Sequence, residues 1–139
     1  KSTGRRTVHS SWLIDHSKPI LFNMAFRFEE LKVWRLGLRL SNEIDMLVKS
    51  FPREELYSLS SQMKRAADSV VLNIAEGSTG QSKAEFKRFL GISLRSAIEV
   101  VSCLFISETR KYINDTEFRK YYNEYEILCK MITKLRDSL

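Results

Sequence analysis

The sequence is poor in the residues that turn a polypeptide chain. Its 139 residues include 5 glycines and 2 prolines, which are too few for the many tight turns of a β sandwich or barrel. Cysteine is also scarce, and Cys103 and Cys129 form neither a disulfide framework nor a closely spaced metal-binding pair. No uninterrupted apolar run reaches the ~18 residues of a membrane helix. These absences favour one soluble domain of long helices, with the cytoplasm as its expected location and no membrane partner.

Histidine is missing from most of the chain. Both histidines, His9 and His16, lie within residues 1–26, which also have no sustained apolar period. The rest of the chain therefore has no Glu-x-x-His pair for a di-iron site and no histidine for serine or cysteine catalysis. We expect no metal, no cofactor and no enzymatic activity. Because Met24 precedes the patterned region, we interpret residues 1–26 as an upstream or expression-derived extension and residues 27–139 as the folded domain.

The positive charge is unevenly distributed. The formal net charge is +6, and half of this excess lies in residues 1–26. The remaining 113 residues contain 19 basic and 16 acidic groups, so the domain is nearly balanced. Overall charge therefore gives little support to a polyanionic partner.

Apolar residues recur at spacings of three and four in four runs, which predicts four helices. Pro52 ends the first run, Gly77 is expected to cap the second, and Ser82 with Glu85 fits a capping box at the start of the third. Because the connections are short, consecutive helices should be antiparallel neighbours. The prediction is an all-α, up-down-up-down antiparallel four-helix bundle. Its helices span about 27–50, 53–76, 82–112 and 116–138.

A polar stripe follows one side of the second predicted helix. Its members recur at spacings of three and four residues, which places them on one helical face. Three interpretations stay open: a solvated surface, a hydrogen-bonded network between helices or subunits, or a ligand site. The stripe consists of Gln62, Arg65, Ser69, Asn73 and Glu76.

A basic cluster occurs on the second and third predicted helices. Several cations on neighbouring helices can contact phosphates together, although a solvated surface would have the same composition. The candidate nucleic-acid-binding residues are Lys64, Arg65, Lys83, Lys87, Arg88 and Arg95.

Several segments resemble the bacterial four-helix-bundle family encoded in intervening sequences of 23S ribosomal RNA genes. The opening FEELKVW at residues 28–34 is similar to the start of that family, and residues 51–59 are similar to its first turn. Residues 62–77, which end in NIAEG, and residues 82–92 continue the resemblance. The resemblance covers about residues 26–135.

The resemblance implies a homo-oligomer, a ring of five, with no established enzymatic activity. Related bundles are accessory subunits of diversity-generating reverse transcriptases, which implies protein and nucleic-acid partners. The chain departs from the family at Thr79-Gly80-Gln81, where a glycine and basic residues are usual, and at Arg95, where a glycine is usual.

Two functional hypotheses follow. The first is a non-catalytic oligomeric accessory or scaffold protein that associates with RNA or a nucleoprotein through its basic surface. The alternative is a protein-interaction scaffold without nucleic-acid affinity, which would use exposed aromatic residues such as Tyr121, Tyr122 and Tyr125.

Overall fold

The computed structural model describes residues 26–139, so the interpretation of the N-terminal extension lies, apart from Phe26, outside the described residues. A 3-10 turn at Arg27–Glu30 precedes the first helix, and a second 3-10 turn, Arg53–Glu55, lies before the second helix. Within the described part of the chain there are four α helices and no strands. They are α1 (Lys32–Val48), α2 (Leu59–Gly77), α3 (Lys83–Thr109) and α4 (Asp115–Asp137).

The four helices form the predicted bundle. Helix α1 packs against α2 and α4, and α3 packs against the same two helices. Contacts such as Gln62 with Glu99 and Val70 with Ser93 run in opposite chain directions, so α2 and α3 are antiparallel. The apolar stripes meet in one core, because this arrangement removes the most apolar surface from water. Its largest fully buried side chains include Leu40, Ile44, Met63, Ile74, Leu90, Leu104, Tyr125, Leu128 and Ile132.

The first two helices begin later than the sequence predicts, because a 3-10 turn occupies the residues before each of them. The second of these turns forms an ion pair with the C-terminal end of α3. Glu55 is buried there, and its carboxylate accepts a hydrogen bond from Arg110 Nη1 at 2.6 Å. The ion pair satisfies a buried charge and fixes the α1–α2 connection against the bundle.

Polar side chains cap two of the helices. Ser82 Oγ accepts from the backbone N–H of Glu85 at 3.0 Å, whereas the Glu85 carboxylate bonds to Arg88 instead of returning to the cap. The reciprocal capping box is found at α4, where Asn114 Oδ1 accepts from Glu117 N at 2.8 Å and Asn114 N donates to Glu117 Oε1 at 3.1 Å. At the N-termini of α3 and α4, these side chains therefore satisfy backbone amides that the helix leaves unpaired.

Gly77 has a different role from the predicted one. It is the last residue of α2, and Ser78 occupies the cap position. A Cβ at Gly77 would lie 2.7 Å from Phe89 Cβ and 2.8 Å from Phe86 Cδ2. The absence of a side chain therefore allows α2 to approach α3, and it is Gly80, with φ +87°, that adopts the left-handed conformation.

Some apolar residues of the four predicted runs face outward. Ile98 is 57% exposed, Phe105 is 51% exposed, and Leu38 is also exposed. By length and composition alone, α3 qualifies as a candidate membrane span, although it contains no uninterrupted apolar run of that length. A core helix of a soluble protein passes the same test, and 39% of the apolar window of α3 is buried inside the bundle.

The close contact at Gly77 can be tested by adding a methyl group. We expect Gly77→Ala to lower the free energy of unfolding by about 1–3 kcal/mol, because Phe86 and Phe89 must shift to accept it. Gly91→Ala is a matched control in α3, where a Cβ would meet no atom within 4 Å. It should raise stability by up to about 1 kcal/mol through helix propensity. Urea unfolding followed by circular dichroism measures both, and equal effects would contradict the steric explanation.

Candidate nucleic-acid interface

A polar groove runs along the surface where α2 meets α3. The spacing of the polar stripe places it on the edge of α2 that meets α3, and α3 contributes its own polar residues opposite. The groove has a volume of about 330 Å³. It is lined by Gln62, Arg65, Ala66, Ser69, Ser96 and Glu99.

Hydrogen bonds join the two helices across this groove. Gln62 Nε2 donates to Glu99 Oε1 at 3.1 Å, and the hydroxyls of Ser69 and Ser96 lie 2.8 Å apart. Asn73 Nδ2 donates to the backbone carbonyl of Ser69 at 2.8 Å and to its Oγ at 3.0 Å. Three members of the polar stripe thus belong to two hydrogen-bonded groups, Gln62 with Glu99 and Asn73 with Ser69 and Ser96.

Two members of the stripe belong to neither of these hydrogen-bonded groups. The side chains of Arg65 and Glu76 are exposed, and neither forms a hydrogen bond or ion pair with another described residue. A guanidinium has five N–H donors in a planar fork. Arg65 therefore brings unused donors to the wall of this groove, and it also lines a neighbouring groove on the α1 side of α2. The Glu99 carboxylate, which lines the first groove, has an Oε2 that is also unused.

The structure does not bring the six predicted basic residues together. Lys64 lies on the other edge of α2, where its ammonium is 3.1 Å from Asp45 Oδ1 and lowers the pKa of that carboxyl. Both residues line a second groove, between α1 and α2, which also includes Tyr57 and Asp68. Lys64 is therefore separated from the α2–α3 groove and is paired.

Arg88 is also engaged within the bundle. Its Nη2 lies 3.0 Å from Glu85 Oε2, which lowers the pKa of Glu85, and its guanidinium carbon lies 4.4 Å from the centre of the Phe89 ring. Lys83, Lys87 and Arg95 are exposed and make no ion pair with the described residues. Arg95 is one helical turn from Glu99, at the edge of the groove, whereas Lys83 and Lys87 form a separate stripe nearer the start of α3.

Sequence reasoning missed the α3 side of the groove. Neither the polar stripe nor the basic cluster includes Ser96 or Glu99, so the sequence predicts no role for them. Their signal was a polar pair, three residues apart, in a helix whose other residues are largely apolar. That pattern indicates a polar contact for α3, but it does not name the partner helix.

The cysteines form no redox pair. Both are free; Cys103 is buried and Cys129 is half-buried. Burial raises the pKa of the Cys103 thiol to about 11 and also raises that of Cys129, so both thiols are protonated and weakly nucleophilic at neutral pH. Among residues 26–139, no group of three histidine, cysteine, aspartate or glutamate side chains is placed to hold a metal ion.

The tyrosines of α4 do not form the exposed aromatic surface that was predicted. Tyr121 and Tyr125 are buried, because they lie on the core side of the helix. Tyr122 is half-buried and packs against Phe105 and Phe118, with ring centres 6.1 Å and 5.7 Å away. On this side of the bundle, the exposed aromatic residue is Phe105 of α3.

The chain is a four-helix bundle with a polar groove between α2 and α3. Its described residues include no group of side chains placed to hold a metal ion. The sequence model of the 23S rRNA-intervening sequence protein family matches residues 29–134, and the chain belongs to this family.

One solved structure is similar over most of the described chain. It is a protein of the S23 ribosomal protein family from Bacteroides thetaiotaomicron, which is described as having unknown function. The two sequences are 25% identical, the match covers 76% of this chain and 95% of that one, and the TM-score is 0.70. No curated protein sequence matches the chain. Neither the family model nor the solved structure names a catalytic activity in its description. The family that the sequence resembles is confirmed.

The hydroxyl contact in the groove can be measured through Ser69→Ala. This change removes the partner of Ser96 and one acceptor of Asn73, so we expect a loss of about 1 kcal/mol in the free energy of unfolding. Ser102→Ala, at an exposed position of α3, is the control for helix propensity. A double-mutant cycle with Ser96→Ala should show coupling, and additive effects would mean that the two hydroxyls do not interact.

Proposed function

We propose that the protein is a non-catalytic, self-associating cytoplasmic bundle that binds RNA or a nucleoprotein through cations of α2 and α3. The observation that carries this proposal is the set of exposed cations on α2 and α3 with no partner among the described residues: Arg65, Lys83, Lys87 and Arg95. Such groups can contact phosphates without first breaking an ion pair, and each contact releases a counterion. The family name, which refers to intervening sequences of 23S rRNA, supports an RNA connection.

The chemistry of the groove supports a binding role without catalysis. The groove-lining residues include no histidine and no cysteine. The hydroxyls of Ser69 and Ser96 bond to each other, so neither is paired with a general base that would activate it as a nucleophile.

An apolar ridge on α3 supports self-association. Leu94, Ile98, Val101 and Phe105 recur at spacings of four, three and four residues, so they share one outward stripe beside α4. The two outermost, Ile98 and Phe105, are more than half exposed. A second copy would remove this surface from water, and a ring would multiply a weak RNA contact into a multivalent one.

The ridge makes self-association testable. We expect sedimentation equilibrium to give a multiple of the 16.3 kDa chain mass, five-fold if the family resemblance extends to subunit number. Ile98→Asp should lower the mass, because it places a charge in an apolar contact. Ile127→Asp is the matched control, since Ile127 is 52% exposed but lies on α4 away from the ridge. A monomer at every concentration would refute self-association, and equal effects of the two variants would exclude the ridge as the contact.

RNA binding can be tested by fluorescence anisotropy with labelled single-stranded RNA at several salt concentrations. Lys87→Gln with Arg95→Gln should weaken binding and reduce the slope of log affinity against log salt by about 1.5, at ~0.7 per lost contact to a single strand. Arg119→Gln with Lys130→Gln removes the same charge from α4, where both cations are paired, and should have a smaller effect. Absence of binding by the wild-type protein at low salt would remove the hypothesis.

A protein-interaction scaffold without RNA affinity is the second candidate, and the exposed α3 ridge favours it. Affinity capture from a native extract, with and without nuclease, separates the two functions. Partners that survive nuclease treatment and are lost in Ile98→Asp would favour the scaffold. Partners released by nuclease would favour the RNA-linked function.

A further inference from the structure

The α2–α3 groove carries charges of both signs, which makes it a poor phosphate site. Arg65 supplies donors, but Glu99 lines the same groove and would repel an anion. A ligand that matches both side chains must present hydrogen-bond donors to the carboxylate and acceptors to the guanidinium. The edge of a nucleobase offers such a pattern without a net charge.

The groove has a volume that can take a base. Its volume of about 330 Å³ lies at the lower end of the range for small-ligand sites, about 300–1,000 Å³. The hydrogen bond from Gln62 to Glu99 Oε1 holds the carboxylate in place, and its two oxygens keep lone pairs for further donors. The Ser69–Ser96 contact closes the floor of the groove between the helices.

We infer that this groove binds the edge of an unpaired guanine, with Glu99 accepting from N1–H and the N2 amino group and Arg65 donating to O6 and N7. Guanine presents two donors followed by two acceptors along this edge. Adenine, cytosine and uracil each present a different order, and none of them offers two adjacent donors to the carboxylate together with two acceptors to the guanidinium. Arginine pairing with O6 and N7 is a common specific contact to guanine, and single-stranded bases are open to it.

This inference rests on the proposed RNA function and divides the cations between two roles. Arg65 reads the base, whereas Arg95, one turn from Glu99, contacts a neighbouring phosphate. Loss of a phosphate contact weakens binding to every sequence. Loss of Arg65 or Glu99 changes the preference among bases.

The test uses the full chain and short labelled uridine-rich RNAs that differ at one central nucleotide. Guanine should bind about tenfold more tightly than adenine, which is the effect of one good bidentate contact. Inosine lacks the N2 amino group and tests Glu99, whereas 7-deazaguanine lacks N7 and tests Arg65. Both should bind with affinities between those of guanine and adenine. These analogues test the contacts without changing the protein.

On the protein side, Glu99→Gln replaces one acceptor oxygen with a donor, so it should reduce the preference for the guanine RNA over the inosine RNA. Glu108→Gln removes the same charge from the same helix outside the groove and should keep the guanine preference. If all the RNAs bind equally to the wild-type protein, the inference is overturned while RNA binding stands. If none of them binds at low salt, the proposed function fails as well.

Discussion

The close contact between α2 and α3 is the constraint on which the rest of the structure depends. At one end, Gly77 lets the helix end lie against Phe86 and Phe89, where a methyl group would clash. In the middle, Ser93 Oγ donates to the Val70 carbonyl at 2.8 Å. Short contacts of this kind need small side chains, because bulky residues would hold the backbones further apart. The same approach brings the polar side chains of the two helices within hydrogen-bonding distance, so one packing requirement produces both the core and the groove.

Charge is divided between stabilising the fold and facing solvent. On the α1–α4 side, Arg39 pairs with Glu43 and Glu124, and Lys120 lies 3.4 Å from Glu43. On the α2–α3 side, Arg65 and Arg95 have no described partner. A nearly balanced domain can therefore still present a locally basic surface, since paired cations contribute little field at a distance. The position of the acidic residues decides which cations are available, and net charge does not.

Helix α3 connects the two parts of the proposed function. Its inner side completes the core, its α2 side carries Ser96 and Glu99, and its α4 side carries the apolar ridge with Ile98 and Phe105. A helix with three different sides has a weak apolar period, so the sequence pattern does not separate the exposed ridge from the core side. The proposed self-association and RNA binding can both use α3, because its sides point in different directions.

The sequence by itself determined the four helices, their order and the polar stripe of α2, because apolar spacing, caps and turns are local properties of the chain. It also excluded histidine-based chemistry from the bundle. Only the tertiary structure decided that Ser69 meets Ser96, that Gln62 meets Glu99 and that Lys64 turns away to Asp45. It also showed that Gly77 serves close packing and that Tyr121 and Tyr125 are buried. Those outcomes depend on the register and rotation of one helix against another, which no single helix encodes.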